Sequence, residues 1–160
     1  MAVQVWDIGG QTIGGKMIKN YIYGAHAVLL TYDISNYQSF QNLDDWYSLV
    51  KGCFSLGTSP HVALIANKAD LSHVRAVPPE KHNTYADKNG MSSYYVSAKT
   101  GDNVYSAFYQ IVANIAGVAF SKLEVELARK VISAEIVDYP KVDNSARVTS
   151  RTRSSKCLLM

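Results

Sequence analysis

Asn67-Lys68-Ala69-Asp70 follows an apolar run, and its acid has a specific use. Guanine presents two neighbouring donors, N1–H and the exocyclic N2 amine, and one ionised carboxylate accepts both. Adenine has no such pair. Asp70 is the residue placed for this contact, and a site built on it discriminates by up to ~10⁴–10⁵, because the wrong base leaves the carboxylate unpaired. The plainer reading is a polar loop at a strand end. Ser97-Ala98-Lys99-Thr100-Gly101 repeats the arrangement after a later strand. There the Ala98 N–H can meet guanine O6 while Ser97 and Lys99 brace the loop; a serine-capped turn is the alternative. Upstream, Trp6-Asp7-Ile8-Gly9-Gly10-Gln11 follows the strand-like Val3-Gln4-Val5. In such a loop the carboxylate of Asp7 can hold Mg²⁺ through water, the Gly10 amide can reach a terminal phosphate, and Gln11 can orient an attacking water. A helix cap at Asp7 and a tight turn at the glycines are the competing readings.

These loops need elements to position them. Ala27 to Tyr32 is a short apolar run ending at Asp33, as expected of a strand covered on both faces. His61 to Ala66 repeats it and ends at Asn67-Lys68, and Ser93 to Val96 does so again before Ser97. Helix signals alternate with these strands, which predicts an α/β fold with a mostly parallel sheet. Ligands in such sheets bind at the carboxyl ends of the strands. Phe40, Leu43, Tyr47 and Val50 recur at helical spacing behind Asn36, a candidate N-cap. Pro79 opens a further helix that stops at Asn89-Gly90. Val104, Phe108, Ile111, Val112 and Ile115 form the cleanest amphipathic stripe, closed by Gly117. Ser121-Lys-Leu-Glu124 reads as a capping box for a last, weakly amphipathic helix.

The chain has 160 residues, 48% hydrophobic and 18% charged, enough apolar content for a core. No apolar run reaches the ~18 residues of a membrane-spanning helix. Two cysteines, Cys53 and Cys157, suggest neither a disulfide framework nor a zinc site, and point to a reducing compartment. His26, His61, His73 and His82 lack ligand spacing. The net charge of +3 is unevenly spread: residues 141–160 carry +4 and the rest −1. A near-neutral body with a basic tail argues against nucleic acid and for an anionic surface. The chain ends in Cys157-Leu158-Leu159-Met160, a prenylation box whose Met favours farnesyl. One lipid chain binds membranes only marginally; Arg147, Arg151, Arg153 and Lys156 supply a second signal of ~1 kcal/mol each.

The order and spacing of these motifs resemble the Ras-like small GTPases, and the Rab family in particular. Asp7-x-x-Gly10-Gln11, Asn67-Lys68-x-Asp70 and Ser97-Ala98-Lys99 match that family's magnesium/γ-phosphate motif and its two guanine motifs. Tyr21-Ile22-Tyr23-Gly24-Ala25, Leu30-Thr31-Tyr32-Asp33-Ile34 and Ser39-Phe40-x-Asn42-Leu43-x-x-Trp46 add a Rab character, nearest to a divergent branch that ends in a prenylation box. The resemblance covers roughly residues 3–118. Gly9-Gly10-Gln11-Thr12 stands where most of the family has Ala-Gly-Gln-Glu, and Ala66 replaces a common glycine. The resemblance implies GTP or GDP with Mg²⁺, a catalytic Gln11, and base contacts from Asn67, Lys68, Asp70, Ser97, Ala98 and Lys99. It also implies effectors reading Trp6 and Tyr21, an exchange factor, a GAP, prenyl-handling proteins acting on Cys157, and a monomer on the cytoplasmic face of a membrane.

One motif is missing from these 160 residues: Gly-x-x-x-x-Gly-Lys-Ser/Thr, whose amides cradle the phosphates. The nearest lookalike, around Gly14-Gly15-Lys16-Met17, has Met where the Mg²⁺ ligand belongs. The resemblance then implies a partial P-loop NTPase (Ras-like) three-layer fold lacking strands 1 and 2 and helix 1, the first switch absent with them. Residues 1–118 would be the later two-thirds of the GTPase domain, 119–139 a helical extension and 140–160 a basic disordered tail. Without the family's central strand, Val3 to Trp6 and Ala27 to Tyr32 would have no shared partner, at ~1–3 kcal/mol for each buried ladder group. The expectation is a chain that neither holds a complete domain nor hydrolyses GTP alone, with a non-catalytic interaction module as the alternative.

Overall fold

The computed structural model describes residues 2–10, 18–54 and 59–119. They fall into a short N-terminal piece, residues 2–7, and a folded body that begins at Ile8. Strands β1 (Ala27–Asp33), β2 (His61–Asn67) and β3 (Ser92–Tyr95) make a parallel sheet in that order. The connections carry α1 (Ile18–Ile22) before β1, then α2 (Tyr37–Gln41) and α3 (Leu43–Cys53) between β1 and β2. A 3-10 segment (Ala69–Val74) and α4 (Pro79–Asn89) lead to β3, and α5 (Val104–Ala116) follows it. The α/β class with a parallel sheet is as the sequence predicts.

Strand β2 explains the layering. Its side chains alternate, and both sets are buried: Leu64 and Ala66 join Leu30, Tyr32, Ile34, Leu43, Val77, Ala86 and Met91 on one face. Ala63 and Ile65 join Val96, Ala107 and Ile111 on the other. Helices α2 to α4 therefore cover one side and α5 the other, which is why β2 reads as an unbroken apolar run. Fully burying one such aliphatic side chain is worth roughly 1.5–3 kcal/mol. A smaller cluster of Ile18, Ile22 and Val50, with Ile8 against it, ties α1 to α3.

The helix ends follow their sequence signals. Asn36 caps α2, its side chain accepting the Ser39 N–H at 3.3 Å. Pro79 opens α4, and Gly90 closes it at φ 64°, a left-handed conformation that a glycine adopts without strain. The Met91 N–H then reaches back to the Ala86 carbonyl at 2.9 Å. Gly117 ends α5 in the same way.

Three expectations shift. The stripe from Phe40 to Val50 belongs to two helices rather than one, joined at Asn42, whose own φ and ψ stay helical. Strand β3 lies one residue earlier than expected. Val3-Gln4-Val5 forms no strand: residues 2–9 hold no regular structure, and Val3, Val5 and Trp6 are 55%, 59% and 61% exposed. A strand exists only through its ladder, and among the described residues β1 pairs with β2 alone. The helix expected after Ser121, the basic tail and Cys157 lie outside the described residues, and so does Gln11.

His82 is fully buried on α4. Its Nδ1 sits 3.0 Å from the Tyr32 hydroxyl and its ring lies 4.4 Å from that of Tyr95. Burial, with the nearby Arg75 charge adding to it, pushes the imidazole down to about 4 from its ordinary 6.5. The unfolded chain therefore takes up a proton that the folded one refuses. The stability this confers is complete above pH 6.5 and drains as the pH falls towards about 4, by on the order of 2 kcal/mol. Urea unfolding of the wild type at pH 7.5 and 4.5, set beside His82→Gln, checks this: the variant should lose less between the two. Equal losses in both proteins would exclude His82 as the cause.

Candidate functional site

Three strands deliver their carboxyl ends to one edge, and the two predicted base loops meet there. The loop after β2 is pinned to both neighbours. The Ala69 N–H donates to the Val96 carbonyl at 3.0 Å, and the Ala76 and Val77 N–H groups donate to the Ile34 carbonyl at 2.8 and 3.1 Å. The ladder itself runs on into the loops, with the Ile34 N–H on the Asn67 carbonyl at 3.1 Å and the Val96 N–H on the Ala66 carbonyl at 2.9 Å. The polar residues of the site thus grow directly out of a buried sheet.

Asp70 and Ser97 join the loops. The buried Ser97 hydroxyl donates to Asp70 Oδ1 at 2.5 Å and accepts the Thr100 N–H at 3.2 Å. That bond holds the Asp70 carboxyl below the usual carboxylate range, helped against partial desolvation by the charges of Lys99 and Lys68. An acceptor kept ionised is what a donor pair requires. Ser97 is itself fixed through its backbone: its N–H donates to the Asp102 carbonyl at 3.0 Å, and its carbonyl accepts the Gly101 N–H at 2.8 Å.

Asn67 makes the second join. Its Oδ1 accepts the Lys68 N–H at 2.7 Å and the Ala98 N–H at 3.1 Å. Lys68 adopts φ 62°, left-handed and uncommon for a residue with a Cβ, so the Asn67 contact holds a strained turn. The Ala98 N–H, assigned from sequence to guanine O6, points at Asn67 in this structure, and a base would share or take over that donor.

Sequence reasoning missed Asp33, the last residue of β1 and the register partner of Asn67. Its Oδ2 lies 2.6 Å from Lys68 Nζ, and its Oδ1 accepts both the N–H and the hydroxyl of Ser35, at 2.8 and 2.7 Å. Partial burial raises its carboxyl, but Lys68 and Ser35 outweigh that and hold it below its ordinary value. The available signal was a third apolar strand ending in an acid.

Asn67, Lys68, Asp70, Ser97 and Ala98 are therefore brought together, with exposed Lys99 beside them. Tyr21 lies on α1, exposed, and Gly10 is exposed at the start of the body. Trp6 and Asp7 belong to the N-terminal piece and are exposed. The donor set fits a guanine base: an ionised carboxylate and a backbone amide face the same edge. Asp7, the carboxylate assigned to Mg²⁺ through water, is exposed in the N-terminal piece, and among the described residues no three His, Cys, Asp or Glu converge.

The bracing makes a direct prediction. Ser97→Ala removes the donor to Asp70, so the Asp70 carboxyl should titrate closer to its ordinary value of 3.8. Stability should fall by about 1 kcal/mol. Carboxyl-carbon NMR titration reads this, and an unchanged Asp70 curve would show that Ser97 does not hold it.

Comparison with known proteins agrees with the geometry. The family model described as "Ras family" matches residues 1–117. The Ras-related protein Rab-28 of Caenorhabditis elegans is 42% identical over 156 residues, 96% of this chain and 63% of that relative. The chain thus spans a little under two-thirds of that relative's length. With the match running through every strand and both base loops, this chain belongs to the Ras family.

Proposed function

We propose that this chain carries the guanine-recognising half of a Rab-type small GTPase, a switch in membrane traffic. The observation behind this reading is the meeting of Asp70, Ser97, Asn67 and Ala98 across two loops at one sheet edge. The Asp70 carboxylate accepts guanine N1–H and the N2 amine, Ser97 keeps that carboxylate ionised and aimed, and Asn67 and Ala98 border the base. GTP supplies the bond that is broken; the residues described here bind and orient its base and move no proton. Hydrolysis by these 160 residues alone is not expected, since the phosphate-cradling glycine loop is absent from them.

Within the same reading, residues 1–118 are GTPase domain, 119–139 a helical extension and 140–160 a basic tail. Prenylation at Cys157, with the tail's cations, then holds the protein on the cytoplasmic face of an anionic membrane. Effectors, an exchange factor and a GAP are the partners that a Rab-type switch requires. A second reading, a non-catalytic module that binds effectors, is favoured by exposed Trp6, Tyr21 and Tyr23.

Nucleosides test the base site without involving phosphate. Guanosine titrated into the isotope-labelled chain should shift the Asp70 and Ala98 amides, saturate in the millimolar range and bind about tenfold tighter than adenosine, ~1.4 kcal/mol. Equal responses to the two nucleosides would remove the reading. In parallel, micromolar Mg²⁺-dependent binding of a fluorescent GTP analogue would overturn the expectation that the chain alone is incompetent.

A further inference from the structure

The ion pair between Asp33 and Lys68 stands apart from the motif contacts: it joins side chains of β1 and the loop after β2, where the other links from the end of β1 are backbone hydrogen bonds. The Lys68 side chain is about half exposed and that of Asp33 about one-fifth, and pairs this wet add little to folding stability. What the pair does is geometric. Lysine has a long flexible stem, and an ordinary surface lysine samples many rotamers. Here both ends of Lys68 are held, the backbone N–H by Asn67 Oδ1 and the ammonium by Asp33 Oδ2. Asp33 in turn is fixed by two donors from Ser35 to its other oxygen, and the backbone register sets it opposite Asn67.

We propose that Asp33 is a positioning residue of the guanine site, acting through Lys68 to hold that side chain rigidly beside the Asn67–Asp70 loop. The proposal rests on the guanine reading above. Asp33 touches no base itself. Its carboxylate spans the ends of neighbouring strands and keeps the Lys68 ammonium and stem in one arrangement before a ligand arrives. A base then meets a prepared wall and does not have to order a loose chain, which is how pre-organisation raises affinity.

Asp33→Asn is the informative variant, because its amide oxygen still accepts from Ser35 while the negative charge that holds the Lys68 ammonium is lost. Two measurements on the labelled 160-residue chain decide the matter. Without ligand, the Lys68 ε-methylene protons should be split by NMR in the wild type and merged in Asp33→Asn, with the Ser35 amide unmoved. With guanosine as probe, the dissociation constant should rise about three- to tenfold in Asp33→Asn, while adenosine is unaffected. In a Lys68→Met background the Asp33 change should have no further effect, which a merely structural role would not produce. Unchanged guanosine affinity in Asp33→Asn, or an effect that persists without Lys68, overturns the proposal, as does an equally mobile Lys68 in both proteins. If wild type fails to prefer guanosine, the guanine reading falls and the proposal with it. The ligand-free Lys68 signal distinguishes that failure from a missing Asp33 contact.

Discussion

The burial of β2 on both faces is the constraint from which the rest of the structure follows. A strand packed above and below cannot turn a polar side chain outwards along its length, so its polar residues must come at its end. Leu64 and Ala66 on one side and Ala63 and Ile65 on the other leave Asn67 as the first position where a side chain can do chemistry. Parallel pairing on both edges puts the ends of β1 and β3 beside it, so Asp33 and Ser97 arrive within reach of the same loop.

At that edge the polar groups are organised mainly by each other. Ser97 serves Asp70, Asn67 serves both its own loop and Ala98, and Ser35 serves Asp33. The carboxylates stay ionised because donors point at them, and the two lysines balance their charge. Such a network carries a cost in backbone strain, visible at Lys68, which neither a lone loop nor a lone strand would sustain.

Much of this was legible in the sequence because it is local. An apolar run closed by a polar residue marks a strand end, and Pro79 and Gly90 bound a helix by their own backbone preferences. Both site loops could be placed at strand ends from residue type and spacing. What the sequence hid was pairwise. The contact of Asp33 with Lys68 joins residues far apart in the chain, and the burial of His82 depends on Tyr32 and Tyr95 from two different strands. The division at Asn42 left no signal because its backbone angles are helical. Val3 to Val5 alternates like a strand, but alternation supplies no hydrogen-bond partner, and strand formation requires one.

The all-parallel ladder also dictates an order of assembly. Among the described residues no two strands are joined by a hairpin, so neither ladder can start from a tight turn and zip outward. Each must wait for a helical crossover to bring distant residues together, which places the loop-closure entropy before the reward. Strand β2, shared by both ladders, is the natural point of condensation, and the site loops can order only once it is in place. The site loops, hydrogen-bonded to the end of β2, therefore depend on that strand for their arrangement.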